Sequence, residues 1–230
     1  MTWTDPIDAY CERIDASFWA EPLNAASNLA FILAAALALR LWRRHDAATG
    51  TRRRRRDLAS LGLVVLVAAI GVGSFLFHTF ADRWSVLADV VPIGIFIYAA
   101  LALVLRRLAG WSRLQALLGT LVFAALSLVV ERAAEPHLGG SAAYLPALAA
   151  LVAVGAGLIA TRRPEGRRIL GAGCVFAVSL TLRTLDGPLC DMVPAGTHFL
   201  WHILNAATLG LILTAVIRRG PAPSRPRITA

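Results

Sequence analysis

The sequence predicts an all-α membrane protein, a bundle of seven transmembrane helices. Of its 230 residues, 57% are hydrophobic, and the mean hydropathy is +0.65. Such values are rare in a soluble domain. Seven apolar segments each approach the roughly 20 residues that a helix needs to cross a bilayer. Helices are favoured over other structures because lipid offers no partner for unpaired backbone groups.

The apolar segments alternate with loops that differ sharply in charge. In chain order, the segments are Leu23–Trp42, Leu58–Thr79, Val86–Leu105, Leu114–Val130, Ala142–Ala160, Ile169–Leu185 and His198–Ile217. Three alternate loops and the C-terminal end hold 18 of the 23 basic residues, all of which are arginine. Arginine-rich loops stay cytoplasmic, so the N-terminus is predicted outside and the C-terminus inside. Three regions follow: an external acidic segment 1–22, the bundle 23–217, and a basic cytoplasmic tail 218–230 that is expected to be disordered.

The formal net charge of +9 is explained by this topology. Because the arginines fall in short clusters between apolar runs, no nucleic-acid partner is expected. The use of arginine without lysine indicates a GC-rich, bacterial genome, and hence an inner-membrane location.

Three histidines lie at the predicted outer ends of apolar segments. His78 closes the second segment, and His198 and His202 open the seventh, where their i, i+4 spacing puts them on one helix face. Imidazoles at membrane depth are costly and usually functional. Three protein ligands with one open position are typical of a catalytic zinc. Taken singly, each could instead be an interfacial or capping residue.

Two further polar residues are predicted at the same depth. Ser74 lies one turn below His78, and Asp89 lies about one turn into the third segment. An intramembrane carboxylate needs a partner, and Asp89 could equally be a fourth ligand of a structural zinc. Ser74 alone could serve helix packing, the role assigned to Gly71 and Gly73.

The external N-terminal segment is rich in acidic residues, which include Asp8, Glu12, Asp15 and Glu21. Hard oxygen ligands at this density could hold calcium, or the segment could simply be solvated. Cys11 and Cys190 both fall on the outer side, where the compartment is oxidising. A disulfide between them would fix the N-terminal segment over the end of the bundle that carries the histidines.

Three blocks of sequence resemble the alkaline ceramidase family and, more distantly, the seven-helix membrane hydrolases that include the adiponectin-type receptors. The blocks are Cys11-Glu12 with Phe18–Asn24 and Ser27-Asn28, then Gly71–His78 with Asp89, then His198–His202. The resemblance implies zinc bound by the three histidines, Asp89 handling the water at the metal, and Ser74 assisting there.

The resemblance also implies pairing of Cys11 with Cys190 and a calcium site near the N-terminus. Glu12 and Glu21 match acidic positions of the family, and Asp15 is a further candidate ligand. However, Ala9 stands where the family often has aspartate, and the segment between the matched residues is shorter.

These observations predict a zinc-dependent intramembrane amidase. It would hydrolyse the N-acyl amide of a ceramide-like membrane lipid to a fatty acid and a long-chain amine, with the site toward the non-cytoplasmic side. Two alternatives are a zinc hydrolase of another membrane lipid and a non-catalytic seven-helix lipid receptor or transporter.

Overall fold

The computed structural model describes residues 2–48 and 57–220 of the chain. In this part every regular element is helical, apart from an isolated β-bridge between Pro6 and Asp82. The predicted all-α class is therefore confirmed. The α-helices are α1 (Pro22–Ser27), α2 (Leu29–Ala48), α3 (Leu58–Phe80), α4 (Arg83–Arg107), α5 (Arg113–Leu138), α6 (Leu145–Ala160), α7 (Gly166–Leu185) and α8 (His198–Arg219). Two short 3-10 helices, Gly139–Tyr144 and Gly187–Leu189, follow α5 and α7.

Within the described residues, 6 helical stretches are long and apolar enough to cross a membrane, and the chain is therefore a multi-pass membrane protein. The fourth stretch, Arg113–Ala160, has 48 residues and contains two of the predicted segments. A 3-10 helix joins α5 directly to α6, so the two count as one stretch. The 16 residues of α6 are fewer than the roughly 20 that a perpendicular span needs. The count of seven spans and the orientation of the termini stay predictions.

The first apolar segment and the C-terminal tail have different boundaries in the structure from those predicted. The first apolar segment is divided at Asn28, where α1 ends and α2 begins. At the other end α8 continues to Arg219, so the predicted tail begins within a helix. Residues 221–230 of that tail lie outside the described residues.

The interior of the bundle is apolar, and so is much of its outer surface. Phe31, Ile70, Phe96, Ile169 and Leu213 are among the most buried side chains of one cluster shared by α2, α3, α4, α7 and α8. Large aliphatic side chains also cover the outer face of α5, including Leu117, Leu118, Leu121 and Val122. An apolar exterior of this extent suits contact with lipid.

An ion pair closes the end of the bundle that is remote from the histidines. Asp57 caps the start of α3 and pairs with Arg107, which also donates to the carbonyl oxygen of Val216 in α8. Burial alone would raise the pKa of Asp57, but the hydrogen bonds from Arg107 and Ser60 hold it below its ordinary value. Asp57 and His78 lie near opposite ends of α3, about 30 Å apart by helical rise.

Gly73 allows α3 and α4 to pack in backbone contact. A Cβ atom at this position would lie 1.9 Å from the carbonyl oxygen of Ala88 and 3.2 Å from the amide nitrogen of Asp89. The predicted packing role of Gly73 therefore has a clear geometric basis. This contact places Ser74 opposite Asp89.

We expect Gly73→Ala to destabilise the protein by about 3 kcal/mol, because neither backbone can move aside cheaply. That loss corresponds to roughly 10 °C in melting temperature for a chain of this size. Thermal unfolding in detergent would measure it. Gly62→Ala is the matched control, since a Cβ on Gly62 of the same helix meets nothing within 4 Å. Equal melting temperatures for the two variants would contradict the prediction.

Candidate active site

The three predicted histidines converge at one end of the bundle. His78 lies in the last turn of α3, and His198 and His202 lie in the first turns of α8. Each offers one ring nitrogen, and these nitrogens all lie within 4.8 Å of one another. All three side chains are buried. Among residues 2–48 and 57–220 no other group of three or more histidines, cysteines or carboxylates meets in this way.

The hydrogen bonds of the histidines leave two ring nitrogens facing each other. Nδ1 of His78 bonds to Oε2 of Glu21 at 2.5 Å, and Nδ1 of His202 bonds to Oγ of Ser27 at 2.7 Å. Their Nε2 atoms are 3.2 Å apart, and Nδ1 of buried His198 has no protein partner. Ligating histidines characteristically use their second nitrogen for such an outer hydrogen bond. The donor set therefore fits a metal ion bound by three imidazoles.

Asp186 fixes the start of the helix that carries two of these histidines. Its Oδ1 accepts the backbone N–H groups of Thr197 and His198 at 2.6 and 2.8 Å. Its Oδ2 accepts the N–H group of Cys11 at 3.1 Å. Gly196 has a φ of +66°, and a Cβ there would lie 2.2 Å from Oδ1. The glycine therefore leaves room for the carboxylate that orients His198.

Ser74 and Asp89 lie beside the histidines. Oγ of Ser74 is 3.5 Å from Nε2 of His202. Oδ1 of Asp89 is buried and has no protein partner. A carboxylate oxygen in this state can accept a proton or a hydrogen bond from a molecule bound beside it.

These groups open onto a cavity of about 290 Å³. Its polar lining consists mainly of Tyr10, Ser74, Asp89, Arg183, His198 and His202. A smaller cavity of about 80 Å³, lined almost entirely by apolar side chains, shares Ile70, Ile93, Tyr144 and Asn205 with the first. The polar site thus adjoins an apolar space that extends between the helices toward Val104 and Ile212. This arrangement suits a molecule with a polar group and a hydrocarbon chain.

The N-terminal segment covers the site and is held there covalently. Cys11 and Cys190 form a disulfide, so the predicted pairing is confirmed. Next to it, the ring of Tyr10 stacks on His198 with centroids 3.7 Å apart. Burial raises the pKa of the Tyr10 hydroxyl, so this residue stays neutral.

We expect Cys190→Ser to lower stability by about 2–5 kcal/mol, because the bond joins segments 179 residues apart. The melting temperature in detergent should fall, and a reductant should bring the unmodified protein to the same value. Cys174→Ser, which removes the one free and exposed cysteine of the described residues, is the control. Equal melting temperatures for Cys190→Ser and Cys174→Ser would contradict the prediction.

The acidic residues predicted to bind calcium do not meet in one place. Both oxygens of Glu12 accept backbone N–H groups, from Leu23 at 2.6 Å and Asn24 at 2.8 Å. Oδ1 of Asp15 accepts the N–H group of Ser17. Glu12 therefore caps α1, and Asp15 closes a local turn.

Glu21 is also fully engaged by protein donors. Its Oε1 accepts from Arg13 at 2.5 Å, and its Oε2 contacts His78 and Nδ2 of Asn24. Burial alone would raise the pKa of Glu21, but these hydrogen bonds hold it below its ordinary value. With a guanidinium already bound, this donor set does not fit a calcium ion.

Several residues of the site were not foreseen as such from the sequence: Tyr10, Arg13, Ser27, Arg183 and Asp186. One signal was available for two of them. Arg13 and Arg183 are among the five arginines that fall outside the arginine-rich loops and tail. An arginine that topology does not explain is a candidate for a specific contact.

A helical membrane bundle that brings three histidines together beside a cavity defines a multi-pass membrane protein with a candidate metal centre. A family model described as Ceramidase matches residues 7–219. Because the match covers most of the 230 residues, the chain belongs to the ceramidase family. No curated protein matches the chain. Family membership makes it an amide hydrolase that acts on the N-acyl linkage of ceramide, a lipid substrate.

Proposed function

We propose that the protein is a zinc-dependent amidase that cleaves the N-acyl amide of ceramide-like lipids within the membrane. The products are a fatty acid and a long-chain amine. The observation that carries the proposal is the meeting of His78, His198 and His202. His198 and His202 line the same cavity as Asp89, and this cavity adjoins an apolar one.

Three imidazole ligands favour zinc over calcium or magnesium, which prefer oxygen ligands. Zinc held by His78, His198 and His202 supplies a Lewis acid that lowers the pKa of water and polarises a carbonyl group. Glu21 and Ser27 orient His78 and His202 through their Nδ1 atoms, so that Nε2 of each ring points into the site.

Asp89 acts as the general base and then as the general acid. Its free Oδ1 takes a proton from the attacking water as the new carbon–oxygen bond forms. The same carboxyl group passes this proton to the amine nitrogen as the carbon–nitrogen bond breaks. The proton is thereby returned, and the carboxylate is ready for the next cycle.

Ser74 stabilises the negative charge that develops on the carbonyl oxygen. Its hydroxyl lies 3.5 Å from Nε2 of His202, on the same side of the cavity as the reacting groups. A well-placed donor of this kind is worth on the order of 3 kcal/mol.

The two cavities divide the substrate between them. The polar cavity takes the amide, and the apolar cavity beneath it takes the first part of the acyl chain. The lipid then needs to move little from the bilayer to reach the reacting groups, which lie about one helical turn from the ends of α3 and α8. We place this end of the seven-helix bundle on the non-cytoplasmic side of a bacterial inner membrane, since the arginine-rich loops belong to the other end.

Metal analysis of the purified protein, combined with assays on lipids of matched acyl chain, tests the proposal. We expect one zinc per chain, release of fatty acid and amine from ceramide, loss of turnover on chelation, and recovery with zinc. Cleavage that survives complete metal removal would exclude the zinc mechanism. Faster cleavage of a matched ester would favour a hydrolase of another lipid. Binding or transport of intact ceramide without cleavage would favour a receptor or transporter.

A further inference from the structure

Arg13 is a buried cation next to His78, with 8% of its surface exposed. Its Nε donates to Oε1 of Glu21 at 2.5 Å. Nη1 and Nη2 donate to the carbonyl oxygens of Asp15 and His78 at 3.1 and 3.3 Å. One guanidinium therefore gathers a carboxylate and two backbone carbonyls, which are the oxygen types that surround calcium in proteins.

These contacts connect Arg13 to a proposed metal ligand. Glu21 uses one oxygen for Arg13 and the other for Nδ1 of His78, so it bridges the guanidinium and the imidazole. Arg13 also binds the backbone carbonyl of His78 directly. Both contacts fix where the ring lies, since an outer hydrogen bond orients a ligating imidazole.

We propose that Arg13 is a built-in cation that takes the place of calcium in the N-terminal segment and positions His78 through Glu21. A divalent ion at the same oxygens would have to displace a guanidinium that is permanently charged. The protein therefore requires no calcium. The inference rests on the proposed function only in treating His78 as a metal ligand.

Calcium addition to the unmodified protein gives the first test. We expect its melting temperature and turnover to be the same in millimolar calcium and in a calcium-selective chelator, and metal analysis to find no bound calcium. A calcium-dependent rise in melting temperature would overturn the proposal. This arm requires no variant, and it is independent of whether ceramide is the substrate.

Substitution of Arg13 gives the second test, with metal affinity as its readout. Competition against a chromophoric chelator should show zinc affinity reduced by about tenfold or more in Arg13→Gln. Arg13→Lys should retain more affinity, because it restores the charge. The control is Arg83→Gln at the same end of the bundle, where Arg83 pairs with Asp5 at the surface. Equal zinc affinities in Arg13→Gln and Arg83→Gln would overturn the positioning role.

A separate observation concerns Arg183, which lies on the last turn of α7 and lines the same cavity as Asp89 and His202. Its Cζ lies 5.2 Å from the ring centre of Tyr144 and 5.7 Å from that of Trp201. These contacts hold the guanidinium by its flat face.

The hydrogen-bonding capacity of Arg183 is largely unused. Its Nη1 donates to Oγ of Ser141 at 2.8 Å, which is a neutral partner. Among the described residues no carboxylate lies within 4.0 Å of it, whereas buried Arg13 and Arg107 each have one. A guanidinium carries five N–H donors. A cation with spare donors at the wall of a cavity is suited to binding an anionic oxygen group.

We infer that Arg183 binds an anionic oxygen group beside the reacting amide. Two sources share this chemistry: a carboxylate, sulfonate or phosphate on the amine half of the substrate, and the carboxylate of the released fatty acid. The inference deepens the proposed function and depends on it for the identity of the cavity.

Two assays separate these sources. The first compares kcat/KM for ceramide and ceramide 1-phosphate of the same acyl chain. The second compares inhibition by a free fatty acid with that by the matched fatty alcohol. If the substrate carries the anion, Arg183→Gln should lower kcat/KM for ceramide 1-phosphate relative to kcat/KM for ceramide by about tenfold or more. If the product carries it, the same variant should raise the fatty-acid inhibition constant by a similar factor, without a change for the alcohol.

Arg83→Gln should leave both quantities unchanged. The inference would be overturned if Arg183→Gln and Arg83→Gln had the same ratio of kcat/KM values for the two lipids and the same fatty-acid inhibition constant. Such a result differs from failure of the proposed function, in which the unmodified protein cleaves neither lipid.

Discussion

His202→Ala should abolish both tight metal binding and amide hydrolysis. His202 faces His78 with the two Nε2 atoms 3.2 Å apart, and its removal leaves two of the three imidazoles. Because a metal Lewis acid supplies several kcal/mol to such a reaction, turnover should fall on the order of a thousandfold or more. Metal content and ceramide hydrolysis should be measured on the same purified sample.

His137→Ala is the control for this variant. His137 is an exposed residue at the end of α5, outside the group of three histidines. The His137→Ala protein should keep full metal content and full turnover. If His202→Ala also kept both, the three histidines would not form the catalytic centre.

Asp89→Asn should reduce turnover by about 10²- to 10⁴-fold while the metal stays bound. The substitution preserves the shape of the side chain but removes a group that can accept and return a proton. Oδ1 of Asp89 has no protein partner, so the substitution breaks no contact at that atom. Single-turnover rates and metal content check both parts of this expectation.

Asp191→Asn is the matched substitution, since Asp191 lies exposed in the loop before α8. It should behave as the unmodified protein. Loss of metal together with turnover in Asp89→Asn would instead make Asp89 a metal ligand. Near-normal turnover with the metal retained would remove it from the mechanism.

The helices and the three histidines were predictable because their signals are local or follow from simple physics. Apolar runs of sufficient length predict helices in lipid. The i, i+4 spacing of His198 and His202 puts them on one face, and the distribution of arginine gives His78 the same predicted depth. The pairing of Cys11 with Cys190 followed from their predicted side of the membrane.

The remaining features depend on contacts between residues that are distant in sequence. Nothing near Arg13 shows that its guanidinium will meet the backbone of a residue 65 positions later. The role of Asp186 also appears only when the N-terminal segment and α8 come together. Helix α5 continues to Leu138, beyond the predicted apolar segment that ends at Val130, because charged residues are readily accommodated where a helix leaves the bilayer.

The contacts of the Asp186 carboxylate determine when the N-terminal segment can dock during folding. This carboxylate joins the segment around Cys11 to the helix that begins at His198, which is synthesised later than Cys11. Until α8 has left the ribosome and inserted into the membrane, the N-terminal segment has no site to cover. We therefore expect the Cys11–Cys190 disulfide to form only after α8 has inserted into the membrane.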